Sequence, residues 1–358
     1  MSDERKDMGR ALKSIGDDYI EARPADIVAV RAGVDRYRRR RGRFAAGGAV
    51  LATGTAALLV YFATSLGAPD GTLPPADGPG FAIVEEHSVE GSPLQVAAKQ
   101  DVAWVTRLAD GVISRIEVGA SSPSWERDVG TIPADIQATG DGLWIADRAT
   151  NQIVQLDPET GARLQAWQLE GAPGRIAVGE NAIRATVDGI GVVRIDRATD
   201  DIEIIYDGSV IDIAMGQTAF WVMDERGRIA AIDPDSGDPV DGLERFTVIG
   251  DGEITYLREA LYYGIEGNRM LLRIDEATAT VTNRIQLPEA YQDIDADSNG
   301  LWVLIRDGRL GRLAELDPAT GAVLDRGLDL VDDPVDIVTG DDGVWVALAS
   351  GGKVVLVR

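Results

Sequence analysis

One imidazole and no thiol limit the chemistry available to this chain of 358 residues, which holds a single His, His87, and no Cys. Disulfides, thiolate nucleophiles and Cys-ligated zinc, cluster or haem sites are excluded. His87 lies in the strand-like segment EEHSV, and without a second His or a Cys no Ser/His or Cys/His nucleophile–base pair can be assembled. Carboxylates are abundant, with 59 Asp+Glu, so no pair of them stands out by type alone. One acidic segment has metal-ligand spacing: Asp295-Ala-Asp297-Ser-Asn299-Gly300 matches positions one, three, five and six of a calcium loop. Its twelfth position is Arg306 instead of Glu, and turn chemistry explains the same residues. No cofactor is expected, and calcium on Asp295, Asp297 and Asn299 is the one alternative to that turn reading.

An internal repeat organises the elements that must position any such site. An aromatic-centred strand recurs as VAWV, GLWI, FWVM, ALYY, GLWV and GVWV, centred on Trp104, Trp144, Trp221, Tyr262, Trp302 and Trp345. NAIRAT places Arg184 at the same register, so seven units recur at about forty residues. Twelve to fifteen residues after most centres comes an acidic turn, at Asp157, Asp196, Asp233, Asp275 and Asp317, with Glu117 in the first unit. In Asp-Pro-x-Thr-Gly the Asp starts the turn, Pro fixes φ and Gly takes a positive φ. Period-two stretches such as QIVQL and RIAAI read as strands. Four short antiparallel strands per unit make the blade of a β-propeller, and seven units make an all-β, seven-bladed ring over 81–358. The last unit reaches Arg358 without an outer strand, while FAIVEEHSV at 81–89 has no blade. The N-terminal strand is expected to close the ring and leave no open edge.

The motifs G-[LV]-W-[VI] and [LI]-D-P-x-[TS]-G resemble those of YVTN and quinoprotein-like propellers and of the streptogramin lyase type. The resemblance implies the fold over 81–358. For the lyase type it also implies a histidine, acidic residues and a divalent cation in the central cavity, whereas His87 is expected in an outer strand. The recurrent Trp residues read as packing between blades or as an aromatic ring for ligand stacking. Departures from the repeat, Arg184, Tyr262, Tyr263 and the GIEGNRM segment, are the ligand candidates.

The charge is split along the chain. Residues 1–43 carry 12 Lys+Arg and 8 Asp+Glu, residues 44–66 none, and the remainder 23 and 51. A surface so acidic repels phosphate backbones, so nucleic acid is not an expected partner. The uncharged stretch, FAAGGAVLATGTAALLVYFATSL, is long enough at 1.5 Å per residue to cross a bilayer core of about 30 Å. Arg38, Arg39, Arg40, Arg41 and Arg43 precede it, and no Lys or Arg follows until Lys99. The positive-inside rule then puts the N-terminus in the cytoplasm and the propeller outside, on a single-pass anchor. Residues 67–80, rich in Gly, Pro and Asp, read as a short linker.

In residues 1–43, Met8, Leu12, Ile15 and Tyr19 recur at helical spacing and define an apolar stripe that needs a cover. This short helical leader, the run RYRRRRGR and the Ala/Gly-rich span resemble actinobacterial membrane proteins encoded beside extracytoplasmic-function sigma factors. That resemblance implies an anti-sigma-like, zinc-free role with a sigma factor as cytoplasmic partner. The expected function is an anchored propeller that binds an outer ligand or envelope protein and regulates a cytoplasmic partner through 1–43. The alternatives are a passive scaffold subunit of a membrane complex and an anchored, metal-assisted lyase or hydrolase.

Overall fold

The computed structural model describes residues 81–358, apart from 108–110, 130–132, 241–242, 244–245, 248–251, 266–268, 288–289, 297–299, 308–309, 319, 321 and 342. The expected span, its flanking arginines, the linker and the apolar stripe of 1–43 lie outside the described residues, as do Asp297 and Asn299. Among the described residues no helix is long and apolar enough to cross a membrane.

The described chain folds into seven four-stranded antiparallel sheets, each built from strands in sequence order except the last. Blades 1 to 6 span 93–128, 133–168, 173–207, 210–247, 252–286 and 291–330. Blade 7 takes three strands from 334–357 and its outermost from Ile83–Ser88, beside Lys353–Val357. Closure by the N-terminal strand is therefore present as the repeat arithmetic required. Its register sets His87 opposite Val354 and Ser88 opposite Lys353. Val89 N donates to Gly352 O at 2.7 Å, and the Lys353 ammonium pairs with Glu86 at 3.1 Å. Among the described residues the outermost strand of blade 4 is Phe246–Thr247.

Period-two alternation distributes each second strand between two cores. In Leu143–Asp147 every residue is buried. Leu143 and Ile145 enter the cluster shared with blade 1, and Trp144 and Ala146 the cluster shared with blade 3. Seven apolar clusters arise this way, one at each junction between neighbouring blades. A blade alone would leave both faces wet, so only the closed stack buries the chain's apolar residues.

Because the chain has no Cys, closure can be checked cleanly. Ser88→Cys with Lys353→Cys places two thiols on directly opposed antiparallel residues, within disulfide reach. The double variant should oxidise intramolecularly in the folded state, seen as a two-hydrogen mass loss by intact mass spectrometry. Persistence of both free thiols under mild oxidant would mean that 83–88 does not close the ring.

Candidate functional site

Nine residues before each repeat centre stands a residue that projects into the axial cavity. The seven are Gln95, Asp135, Arg175, Asp212, Glu253, Asp293 and Asp336, each followed by Ile or Val, on the innermost strands. In six blades the innermost strand carries a register shift at or beside this residue; blade 5, with Glu253, has none. A bulge re-aims the side chain and releases backbone donors from the ladder. The aspartates collect those donors. Asp135 accepts Ile136 N at 3.0 Å and, from the next blade, Ile176 N at 2.8 Å. Asp212 accepts Ile213 N and Ile254 N at 3.0 and 2.8 Å, and Asp293 accepts Ile294 N and Ile337 N, both at 2.9 Å. Asp336 completes the circle by accepting Val96 N of blade 1 at 2.8 Å.

The lone cation of this ring is shared. Arg175 Nε lies 3.4 Å from Asp212, and its terminal nitrogen donates to Glu253, two blades away, at 2.5 Å. Burial opposes the guanidinium charge, yet Asp212, Glu253, Asp135 and Asp293 hold it well above its ordinary pKa. Burial also pushes the Asp135 carboxyl up, with Arg175 opposing. Burial, then Glu253 and Asp336, push Asp293 well above the usual carboxylate range. The ring is thus acid-rich and only partly neutralised, around a cavity of about 200 Å³.

The metal site implied by the lyase resemblance does not fit these residues. The ring contains no His, and four of its carboxylates accept backbone N–H groups. Among the described residues no group of three His, Asp or Glu is arranged to hold a metal ion. His87, 7% exposed, lies in the outermost strand of blade 7, with Nε2 3.0 Å from Glu85 and its ring 5.9 Å from that of Trp345. Asp295 belongs to the innermost strand of blade 6, and its carboxylate accepts Thr339 N and Oγ1 of blade 7 at 2.7 and 2.8 Å. That is a second blade-to-blade clamp, mirrored by Gln137 Oε1 accepting Val178 N at 2.8 Å.

The repeat centres link blades in a second tier. Trp104 Nε1 donates to Pro158 O of the next blade's Asp-Pro turn at 3.3 Å. Arg184 Nε makes the same bond to Pro234 O at 2.7 Å, with its guanidinium 5.6 Å from the Phe220 ring centroid. The Tyr262 hydroxyl donates to Pro318 O. Arg184 and Tyr262 are buried, and Tyr263 is fully buried in the cluster between blades 4 and 5. All three ligand candidates therefore sit in blade packing, because each keeps a donor or an apolar surface where the repeat demands one. The turn aspartates are half-buried or, at Asp233, exposed, and backbone donors hold Asp157, Asp196 and Asp233 below the usual carboxylate range.

A second opening lies between blades 2 and 3, with a volume of about 800 Å³. At the equivalent place between blades 1 and 2, Arg115 bonds Glu159 of the next turn at 2.9 Å, and Trp125 lies against Gly161. Pairing aligns Gln155 with Arg115, both opposite the repeat Trp, and Gln165 with Trp125. Ala198 takes the place of Glu159 in the blade 3 turn. Arg197 stands where the turn Pro should be. It lies 4.8 Å from the Trp144 ring centroid, donates to Gly179 O and Glu180 O at 3.0 Å, and pairs with Asp141.

Two signals were missed in the sequence reading: the polar residue nine positions before each centre, and Gln155, Gln165 and Ala198 standing where the preceding junction has Arg115, Trp125 and Glu159. Both are visible only when the seven units are aligned on their centres.

No protein-family model matches the chain, and no curated protein matches it in sequence. Solved structures do match in fold. A streptogramin B lyase superposes with a TM-score of 0.64 at 18% identity, over 78% of this chain and 98% of that one. Virginiamycin B lyase from Staphylococcus aureus gives 0.61 at 20% identity, over 78% and 99%. BamB from Moraxella catarrhalis gives 0.55 at 14%, over 78% and 99%. These likenesses establish the seven-bladed propeller.

The raised Asp293 carboxyl makes stability depend on pH in a stated direction. Its folded pKa exceeds the unfolded value of about 3.9, so the folded state takes up a proton first and stability rises as pH falls towards that value. The depressed turn aspartates act only at or below that unfolded value, so they leave this window untouched. Asp293→Asn imitates the protonated form. The native melting temperature should rise from about pH 7.5 to about pH 5.5, and the variant should lose much of that rise, on top of a pH-independent loss for the backbone N–H that its amide cannot accept. A variant several degrees less stable with an unchanged pH slope would show that the charge itself holds the ring.

Proposed function

We propose that the chain is a binding module, with the propeller presented outside the cell on the span at 44–66 and residues 1–43 engaging a cytoplasmic partner. One observation carries the choice of binding over catalysis. The axial aspartates are occupied as acceptors between blades, and the only imidazole is buried in the outermost strand of blade 7. An anchored lyase or hydrolase would need a group at the axis to move a proton or hold a metal, and the four axial aspartates are stitched to backbone while Glu253 is paired with Arg175. Fold likeness at 14–20% identity carries no activity across.

The supports for orientation are the arginine run before the span and the absence of Lys or Arg after it until Lys99. The support for a cytoplasmic partner is the stripe of Met8, Leu12, Ile15 and Tyr19, for which a sigma factor is the proposed cover. The role as outer sensor and inner regulator rests on both.

The test is affinity purification of the full-length chain from its host, beside a variant with those four residues changed to Ser. A soluble partner, a sigma factor foremost, should be retained by the native chain and fall at least about tenfold with the variant, as expected when several apolar anchors are lost. Equal recovery from both chains would reduce 1–43 to an anchor leader. Metal-dependent turnover of an added substrate by the chain would overturn the binding-only reading.

A further inference from the structure

The opening between blades 2 and 3 differs from the junction before it at three positions, and their combined effect is chemical as well as steric. In blades 1, 3 and 5 the third strand sends an Arg to the next blade's turn, Arg115 to Glu159, Arg194 towards Asp235 at 3.7 Å and Arg273 Nε to Pro318 O at 3.2 Å, whereas blades 4, 6 and 7 place Ala231, Glu315 and Leu356 there. In blade 2 the place of Arg115 is taken by Gln155, that of Glu159 by Ala198 and that of Trp125 by Gln165. A charged bridge and an indole are replaced by two amides and a methyl group. The space they vacate is a cleft of about 800 Å³, within the range of small-molecule sites.

The groups left at the cleft favour one class of occupant. Gln155 spends its amide N–H on Asp141 O and Gln165 spends its own on Asp200 Oδ1, so both carbonyl oxygens remain available as acceptors. The Asn181 side chain and the Glu180 carboxylate make no hydrogen bond or ion pair among the described residues, and both are exposed at the cleft. Trp167 forms part of the wall, anchored by Nε1 on Asp200 and stacked on Trp144 at 5.7 Å. Charge is nearly balanced. Asp141 is held by Arg197, whose pull outweighs the effect of partial burial and keeps its pKa low, and Asp196 is held by Arg194 and backbone donors. Glu180 alone is uncompensated. Arg197 is fully engaged and offers no anion site. A wall of amide acceptors, one carboxylate and an indole suits a neutral ligand with many O–H donors.

We infer that the blade 2–blade 3 cleft is a binding site for a neutral oligosaccharide. Hydroxyls of the sugar donate to Gln155, Gln165 and Glu180, Asn181 bonds a vicinal hydroxyl, and a sugar face meets the Trp167 edge. This names the outer ligand of the binding role proposed above and rests on that reading. Its test is separate from partner capture, because it reads sugar binding and leaves residues 1–43 unchanged.

The experiment is calorimetric titration of the full-length chain with cellotriose, maltotriose and tri-N-acetylchitotriose, and with spermine as a cationic probe. At least one trisaccharide should bind with a Kd below about 1 mM, and spermine should not compete for it. Asn181→Ala and Gln165→Ala should each weaken binding about tenfold, the loss of one or two hydrogen bonds. The decisive variant restores the repeat: Gln155→Arg with Ala198→Glu rebuilds the bridge seen at the preceding junction and should abolish binding without lowering the melting temperature. Saccharide binding that survives this double change would place the site elsewhere. No binding of any trisaccharide by the native chain at about 5 mM, or displacement by spermine, would overturn the proposal. A sugar-negative chain that still captures its cytoplasmic partner would remove this inference and leave the anchored binding module standing.

Discussion

A carboxylate set on a bulge of the innermost strand, accepting an N–H from the next blade, is the bond on which the propeller depends. Packing alone does not fix how far one blade is advanced past its neighbour, since apolar contact is non-directional. The pair Asp135–Ile176 N fixes it for blades 2 and 3, Asp212–Ile254 N for blades 4 and 5, and Asp293–Ile337 N for blades 6 and 7. Asp336 to Val96 N does the same across the closing junction. A hydrogen bond from backbone N–H to a charged acceptor contributes about 1.5–3 kcal/mol, so the ring gains direction and stability together. The cost is crowding of like charge, and Arg175, reaching both Asp212 and Glu253, is the only guanidinium in the ring to offset it.

The same bond explains why an acid-rich axis need not be an active site. A carboxylate that already accepts two backbone donors is stabilised in place and has fewer lone pairs for a proton or metal. Asp293 is the exception in charge, since burial, Glu253 and Asp336 push its pKa up while it keeps both donors. That upward push is a consequence of burial and ring crowding. At the second tier the indole, guanidinium and phenol at Trp104, Arg184 and Tyr262 all reach a proline carbonyl in the next blade. Three unlike side chains do one job because each carries a donor at the end of a flat or extended group.

The fold was legible because a repeat magnifies weak local signals. A single GLWI or LDPETG is an unremarkable strand or turn, but seven in register left only the closure to be worked out, and the orphan strand at 81–89 supplied it. The site was less legible for a physical reason. Arg184, Tyr262 and Tyr263 break the repeat as residue types yet keep its interactions, so type alone misdirects. The axial aspartates, by contrast, look like ordinary polar positions on half-buried strands until the bulges turn them to the axis. Asp295 reads as the start of a cation loop by spacing, whereas its strand carries it to Thr339 of the next blade.

The useful distinction among departures is therefore whether a substitution preserves the bond across the junction or removes both of its ends. Arg184 preserves the bond, because Pro234 O still receives its donor. Glu276, at a turn position where Pro is usual, makes a new one by accepting Thr218 N and Ala219 N of blade 4. Between blades 2 and 3 the bridge seen at the preceding junction has lost Arg to Gln155 and its acidic partner to Ala198, while Arg197 and Asp141 pair at the rim of the same opening. Losing one end alone would strand an uncompensated charge, which is costly. Losing both ends at once costs little electrostatically and leaves a cleft whose walls still hold polar groups. Beside the bridged junction of blades 1 and 2, that paired loss leaves polar groups facing open space, which is what a ligand would need.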